Sequence, residues 1–307
     1  MTSDLAWHRA TEGFSGAVVW RGDDSTNTPR VALKGWPIGV SAERVRQIHL
    51  WMSRAAHLPF VPAVFTGTHG STAVFADGRF WDACRWVPGE PRALLTETEV
   101  CAACDAIAQL HLCWPLAPAR GPCRGVLNRI EVLTEHRARF DDWNRVLPAV
   151  APELDSLLRR AVKVVRRCAD PAISALRPWS ARPLVSRPVL RDLRSEHVLF
   201  TADRVTGIID FGAMAIDHPA IDLARFLGES SSARDAIFSA GLSAYRSAAV
   251  LDAPDEFVHL LARTGIVCSV LGWLVRLVVR REPVPRPTAT AARLTHLLTR
   301  AEEITHF

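Results

Sequence analysis

The strongest constraint on how this chain folds is a pair of aspartates eighteen residues apart, Asp192 and Asp210, each closing a short apolar run. Residues 189–200 read Val-Leu-Arg-Asp-Leu-Arg-Ser-Glu-His-Val-Leu-Phe, and 207–212 read Gly-Ile-Ile-Asp-Phe-Gly. The runs have β-strand character, and Thr201-Ala-Asp-Arg204 between them suits a hairpin turn. Two strand ends held side by side bring both carboxylates to one mouth. That layout suits phosphoryl transfer, in which one carboxylate accepts a hydroxyl proton and the other holds magnesium. Taken alone, Asp-Phe-Gly is a common turn sequence; the pairing gives it weight.

The rest of the chain divides by periodicity. Residues 1–90 read as strands: Val18 to Trp20 after a glycine turn, Arg30 to Lys34, Val61 to Phe65, Thr72 to Ala76 and Phe80 to Val87. Ser41 caps one helix among them, with Val45, Ile48, Leu50, Met52 and Ala55 as its apolar face. Pro88-Gly89-Glu90-Pro91 reads as a linker. Beyond it the pattern is helical, from Thr96 to His111, over 126–147 and 152–168, and again from Asp222, Asp255 and Thr288. A proline-rich segment, Pro171 to Pro188, leads into the aspartate strands. A β-rich first part and a larger helical part predict an α+β fold of two lobes with a cleft between them.

Composition narrows the classes. An apolar fraction of 49% and a charged fraction of 22% belong to a folded globular chain. The net charge of +5 comes from dispersed arginines with no basic arm, which argues against nucleic acid. The apolar stretch Gly265 to Val279, interrupted by Arg276, is short for a membrane span and reads as a core helix. The start of the chain has no secretory pattern, so its seven cysteines are expected reduced, in the cytoplasm. Cys101, Cys104, His111 and Cys113 fall within one helix and do not make a zinc site.

Of 37 basic residues only Lys34 and Lys163 are lysine. Lys34 ends the strand Val31-Ala-Leu-Lys34, where a compact ammonium would reach nucleotide phosphates. Gly13, Ser15 and Gly16 would let backbone amides approach those phosphates closely. Trp86, in the linker, would border a base.

The glycine turn, Val-Ala-Leu-Lys, Leu-Arg-Asp-Leu-Arg-Ser-Glu-His197 and Asp210-Phe-Gly occur in the order found in kinase-fold proteins. Asp222-Leu-Ala begins only twelve positions after Asp210, leaving no room for a protein-kinase activation segment. In this the chain resembles the aminoglycoside phosphotransferase family of small-molecule kinases. The resemblance implies a bilobal protein-kinase-like fold, with residues 1–87 as nucleotide-binding lobe, a hinge at about 85–91, and 92–307 as catalytic and substrate-binding lobe. It implies ATP and Mg2+ as cofactors, with Mn2+ as an alternative metal, and a small hydroxylated substrate as partner. By position, Asp192 would be the catalytic base, Arg194 a basic group near the γ-phosphate, and Asp210 the main metal ligand. Gly13, Ser15, Gly16, Lys34, Trp86 and Val87 would bind nucleotide, and Asp222 would hold the catalytic-loop backbone.

Three positions depart from the family pattern. Leu190 replaces a histidine. Glu43 is the only candidate before Glu90 for the helix glutamate that pairs with Lys34. His197 replaces an asparagine at a metal position, which disfavours Mg2+ and favours Mn2+. A second reading follows from His197: a catalytically impaired kinase-fold protein that binds nucleotide. The 125–170 insert and the C-terminal helices would build the acceptor pocket, where Glu131, Glu135, Asp141, Asp142, Glu229 and Asp235 would either attract a cationic substrate or form solvated helix faces.

Overall fold

The computed structural model describes residues 4–10, 16–150, 152–230, 235–284 and 286–307. Strands β1 (Ala6–Arg9), β2 (Val18–Asp23), β3 (Pro29–Gly35), β4 (Val74–Ala76) and β5 (Arg79–Arg85) form one antiparallel sheet in the order β1-β2-β3-β5-β4. The Asp24 carboxylate closes the β2–β3 turn, accepting the Thr26 N–H at 2.9 Å and the Thr28 N–H at 3.1 Å. The expected strand Val61 to Phe65 is reduced to a single bridge, Val64 to Cys84. Pro59 and Pro62 remove ladder donors there, and Phe60 and Val61 turn into the core instead.

Helix α1 (Ala42–Arg54) follows β3, and Ser41 accepts the Arg44 N–H at 3.2 Å as its cap. Val45, Ile48, Trp51 and Met52 make the buried stripe, whereas Leu50, expected inside, is exposed. The helix is tied to the sheet by a polar group as well as by packing. Buried His49 donates its Nε2–H to Asp82 of β5 at 2.9 Å, and the Trp36 indole N–H donates to the same carboxylate. Buried and fully paired, this network fixes how α1 sits.

The linker is held rather than loose. Strand β6 (Glu90–Pro91) joins β8 (Val198–Thr201) and β9 (Arg204–Ile208) in a second sheet, ordered β6-β8-β9. Gly89 has φ +106°, and a Cβ there would lie 2.3 Å from Thr206 Oγ1. Only glycine fits this crossing. Between the linker strand and β8, the short strand β7 (Arg187–Val189) pairs antiparallel with β10 (Ala215–Asp217).

The helices are α2 (Glu97–Leu112), α3 (Arg124–His136), α4 (Phe140–Val150), α5 (Asp155–Leu176), α6 (Ala220–Ser230), α7 (Asp235–Ala248), α8 (Asp255–Leu274) and α9 (Pro287–Glu302). Thr96 and Glu99 cap α2 reciprocally. Helix α5 runs through Pro171 to Leu176, further than its prolines predict. The Pro171 ring faces solvent while Cys168, Ala169, Ala172, Ile173 and Leu176 pack inward, so tertiary burial overrides the break.

Helix α8 explains the apolar C-terminal stretch. Its residues Phe257, Val258, Leu260 and Leu261 belong to the core shared with α1, α2, α6 and α7. Its residues Ile266, Val267, Val270 and Leu271 belong to a second core with α4, α5 and α9. Asp255–Val279 is long and apolar enough to cross a membrane by length and composition, but most of it is buried inside the fold.

His218, fully buried before α6, accepts the Ala220 N–H on Nδ1 at 3.1 Å. Burial pulls its pKa from 6.5 down to about 4. The unfolded chain therefore takes up this proton first. Stability is fully present above the unfolded value and falls as pH drops toward the folded one, by up to about 3 kcal/mol. Urea unfolding at pH 7.5 and 4.5 should show a smaller pH effect in His218→Asn, whose amide oxygen can still accept from Ala220. Equal pH effects in both proteins would rule out His218 as the source.

Candidate active site

The loop after β7 carries the first aspartate, and one buried carboxylate shapes that loop. Asp222, in the first turn of α6, accepts the Leu190 N–H at 2.7 Å and the Arg191 N–H at 2.6 Å. Arg191 adopts a left-handed φ of 67°, which turns the backbone after these two amides. His111 of α2 donates its Nε2–H to the same carboxylate at 3.0 Å, and its Nδ1 meets the Tyr245 hydroxyl at 2.9 Å. Asp222, His111 and Tyr245 are all fully buried.

Past this bracket Asp192 reaches the cleft with its carboxylate about half exposed. Arg225 of α6 grips it, donating Nε–H at 3.1 Å and Nη2–H at 3.0 Å to Oδ1. The second oxygen has no such clamp. The chain then makes a 3-10 turn at Ser195–His197 and enters β8.

His197 joins the two aspartates. Its Nδ1 lies 2.8 Å from the Asp192 carbonyl, which can only accept, so Nδ1 carries the proton. The lone pair then sits on Nε2, which faces Asp210 Oδ2 at 3.9 Å and Glu196 Oε1 at 3.8 Å. Burial, only partly offset by Asp210, holds the His197 pKa below its ordinary value, so the ring is neutral at neutral pH.

Asp210 leaves β9 in a left-handed conformation, φ 62°, and starts the turn Phe211–Ala213. Lys34 of β3 reaches across to its Oδ1 at 3.2 Å, while also lying 4.7 Å over the Trp36 ring. Burial alone would raise the Asp210 pKa, but the Lys34 ammonium and the Gly212 N–H outweigh it and hold the carboxyl ionised. A Cβ on Gly212 would sit 3.2 Å from Asp210 Oδ1 and 3.3 Å from Lys34 Nζ. Arg44 of α1 donates to the Gly212 carbonyl at 3.1 Å, linking helix and turn.

A family profile described as "Phosphotransferase enzyme family" matches residues 6–257, spanning the whole of this constellation. The chain belongs to that family. Solved structures agree at the level of fold. A spectinomycin phosphotransferase in complex with ADP and spectinomycin superposes with a TM-score of 0.62 at 10% identity, over 98% of this chain and 93% of the other. An aminoglycoside phosphotransferase from Alicyclobacillus acidocaldarius gives 0.55 at 14%, over 98% and 90%. A macrolide 2'-phosphotransferase from Brachybacterium faecium gives 0.52 at 17%, over 95% and 93%. No curated protein matches the chain.

In this phosphotransferase-family chain, Lys34, Asp192, His197 and Asp210 converge, with Asp222 behind them. Gly13 and Ser15 lie outside the described residues; Gly16, with φ 77°, enters β2 with open space where a side chain would be. Trp86 and Val87 join the sheet to the linker, the Trp86 N–H bonded to the Arg30 carbonyl at 2.9 Å. Val87 is buried against Gly207. Glu43 does not serve Lys34. It sits exposed in the first turn of α1, and Lys34 pairs with Asp210 instead.

For a metal, the donors on hand are Asp210 and the neutral Nε2 of His197. Among the described residues no group of three or more His, Cys, Asp or Glu side chains converges. A divalent ion here would complete its shell from phosphate oxygens and water, as Mg2+ and Mn2+ do, and the imidazole favours the latter. The pair fits such an ion.

Three features escaped sequence reading. Arg225 lies one turn after Asp222 on α6, a spacing that could have flagged it, but one arginine among so many carries little signal. The His49–Asp82–Trp36 network joins residues with no motif. The third is a cavity of about 500 Å3 beside Asp192, bordered by α6, α8 and α9. It touches Asp192 and Arg194 but neither Lys34 nor Asp210. The acids expected to line it do not. Asp141 and Asp142 pair with Arg166 at 2.6 Å and Arg145 at 2.9 Å, and Glu131 and Glu135 line a separate cleft. Glu229 is buried against Arg293 at 2.6 Å, and the side chain of Asp235 lies outside the described residues.

Proposed function

We propose that this chain transfers the γ-phosphate of ATP to a hydroxyl of a small molecule. The observation that carries the reading is the Lys34–Asp210 pair, which joins strand β3 to the turn after β9, with His197 linking that aspartate to the Asp192 loop. The acceptor oxygen forms a bond to the γ-phosphorus as the bond to the β,γ-bridging oxygen breaks. ADP leaves with that electron pair, and the hydroxyl proton passes to Asp192. Arg225 orients the Asp192 carboxylate, and Lys34 binds the phosphates beside Asp210. A divalent ion held by Asp210 and His197 would supply charge neutralisation at the phosphates. Catalysis here is positioning plus electrostatics, with no covalent intermediate. The seven free cysteines accord with a reducing, cytoplasmic setting.

His197 sets the test. Rates of ATP turnover with Mg2+ and with Mn2+ should favour Mn2+ in the wild type, and His197→Asn should shift the ratio toward Mg2+ by roughly ten-fold. A wild-type rate flat with both metals that rises in His197→Asn would favour the other reading, a nucleotide-binding protein without transfer.

A further inference from the structure

We infer that the acceptor is an anion, a small polyhydroxy compound bearing a carboxylate or phosphate group. The inference rests on the transfer reading above and names the substrate class of the same site. The cavity beside Asp192 is walled by arginines from four places in the fold. Arg194 comes from the loop, Arg225 from α6, Arg276 and Arg280 from the π turn Val275–Val279 and its end, and Arg293 from α9. Asp192 is the only carboxylate on that wall, and the proposed chemistry uses it. An adjoining cavity of about 290 Å3 shares Asp192, Arg225 and Ser269 and adds Arg129 and Arg191, again with no further acid.

The carboxylates behind the wall are too few to neutralise it. Glu229 serves both Arg225 at 3.3 Å and Arg293 at 2.6 Å. Glu282 serves both Arg276 at 2.7 Å and Arg280 at 3.7 Å. Arg194 pairs with Glu196, yet its Nε, and that of Arg129, are buried with no hydrogen-bond partner. Like charges held this close repel unless an anion sits among them. Burial, then the charge of Arg293, already pulls the Arg194 pKa down. Guanidinium groups also match carboxylate and phosphate oxygens in shape, two N–H groups to two oxygens. Trp273, buried behind the wall, has the Arg276 guanidinium 5.0 Å over its ring and fixes where that arginine stands. A cationic amino sugar would meet repulsion from the same wall.

The nucleotide does not account for Arg276, Arg280 and Arg293, because Lys34 and Asp210, which would hold its phosphates, line neither cavity. The test uses the full chain with ATP, Mg2+ or Mn2+, and matched compounds: gluconate and glucose 6-phosphate, glucitol and glucose, glucosamine and kanamycin. Phosphate transfer and thermal stabilisation are read in parallel at fixed ionic strength. Only the anions should be phosphorylated and should stabilise the fold, and which of the two does so separates carboxylate from phosphate recognition. Arg276→Gln, and independently the exposed Arg280→Gln, should raise the acceptor KM by about 10–100-fold with the ATP KM within about two-fold. Arg276→Lys should recover part of the loss.

Preferential transfer to glucosamine, kanamycin or the neutral polyols would overturn the inference while sparing the transfer reading. Equal rises in acceptor and ATP KM would also overturn it, assigning the arginines to the nucleotide. Stabilisation by the anions that Arg276→Gln abolishes, with no transfer to any compound, would support the anion site and sink the transfer reading instead.

Discussion

Asp192→Asn is expected to lower kcat for phosphate transfer by about 10²–10⁴-fold, the usual worth of a positioned general base, with the ATP KM unchanged. The asparagine oxygen can still accept both Arg225 N–H groups, which approach at 3.0 and 3.1 Å. The loop should therefore keep its shape, and the loss should fall on the chemical step. Steady-state kinetics and thermal unfolding separate the cases. A kcat within about three-fold of wild type, set against the expected range for a base, would show that Asp192 does not take the proton. A matching collapse of stability would mean that the carboxylate is structural.

Asp222→Ala should cost about 3–5 kcal/mol of unfolding free energy, the range for breaking a buried charged pair. The variant strands two backbone N–H groups, of Leu190 and Arg191, and the His111 Nε2–H, in a site with no water access. Each unpaired buried donor costs roughly 1–3 kcal/mol. Asp222→Asn leaves one oxygen to accept and should lose less. Denaturant unfolding of the two variants checks the order. A loss below about 1 kcal/mol in Asp222→Ala would show that the loop finds other partners, contrary to the burial seen here.

The parts legible in the sequence were those where local pattern and tertiary role agree. The β8–β9 hairpin that lies between Asp192 and Asp210, the capped helices and the strand bearing Lys34 each announce themselves through periodicity and turn residues, whereas the strand before Asp192 pairs with β10 and not with the strand before Asp210. β1 was missed because its four residues are all exposed and show no alternation. α5 was cut short at Pro171 because the sequence does not show that its inward face is fully packed. The partner of Lys34 was sought on α1 by analogy. The helix instead presents His49 to Asp82, and Lys34 is left to Asp210.

The arginine-lined cavity beside Asp192 was the least legible part. Its arginines come from positions between 194 and 293 and become neighbours only when α6, α8 and α9 assemble. Of the acids that pointed to a cationic substrate, Asp141, Asp142 and Glu229 are paired with arginines, and Glu131 and Glu135 line a different cleft.

The most direct measurement follows the label from γ-phosphate-labelled ATP, using wild type, Asp192→Asn and Asp210→Asn with Mn2+ and the anionic polyols. The account predicts labelled phosphate ester on the acceptor with the wild type and at least about a hundred-fold less with either variant. Label that remains in ATP, or that passes to water equally in all three proteins, would contradict it.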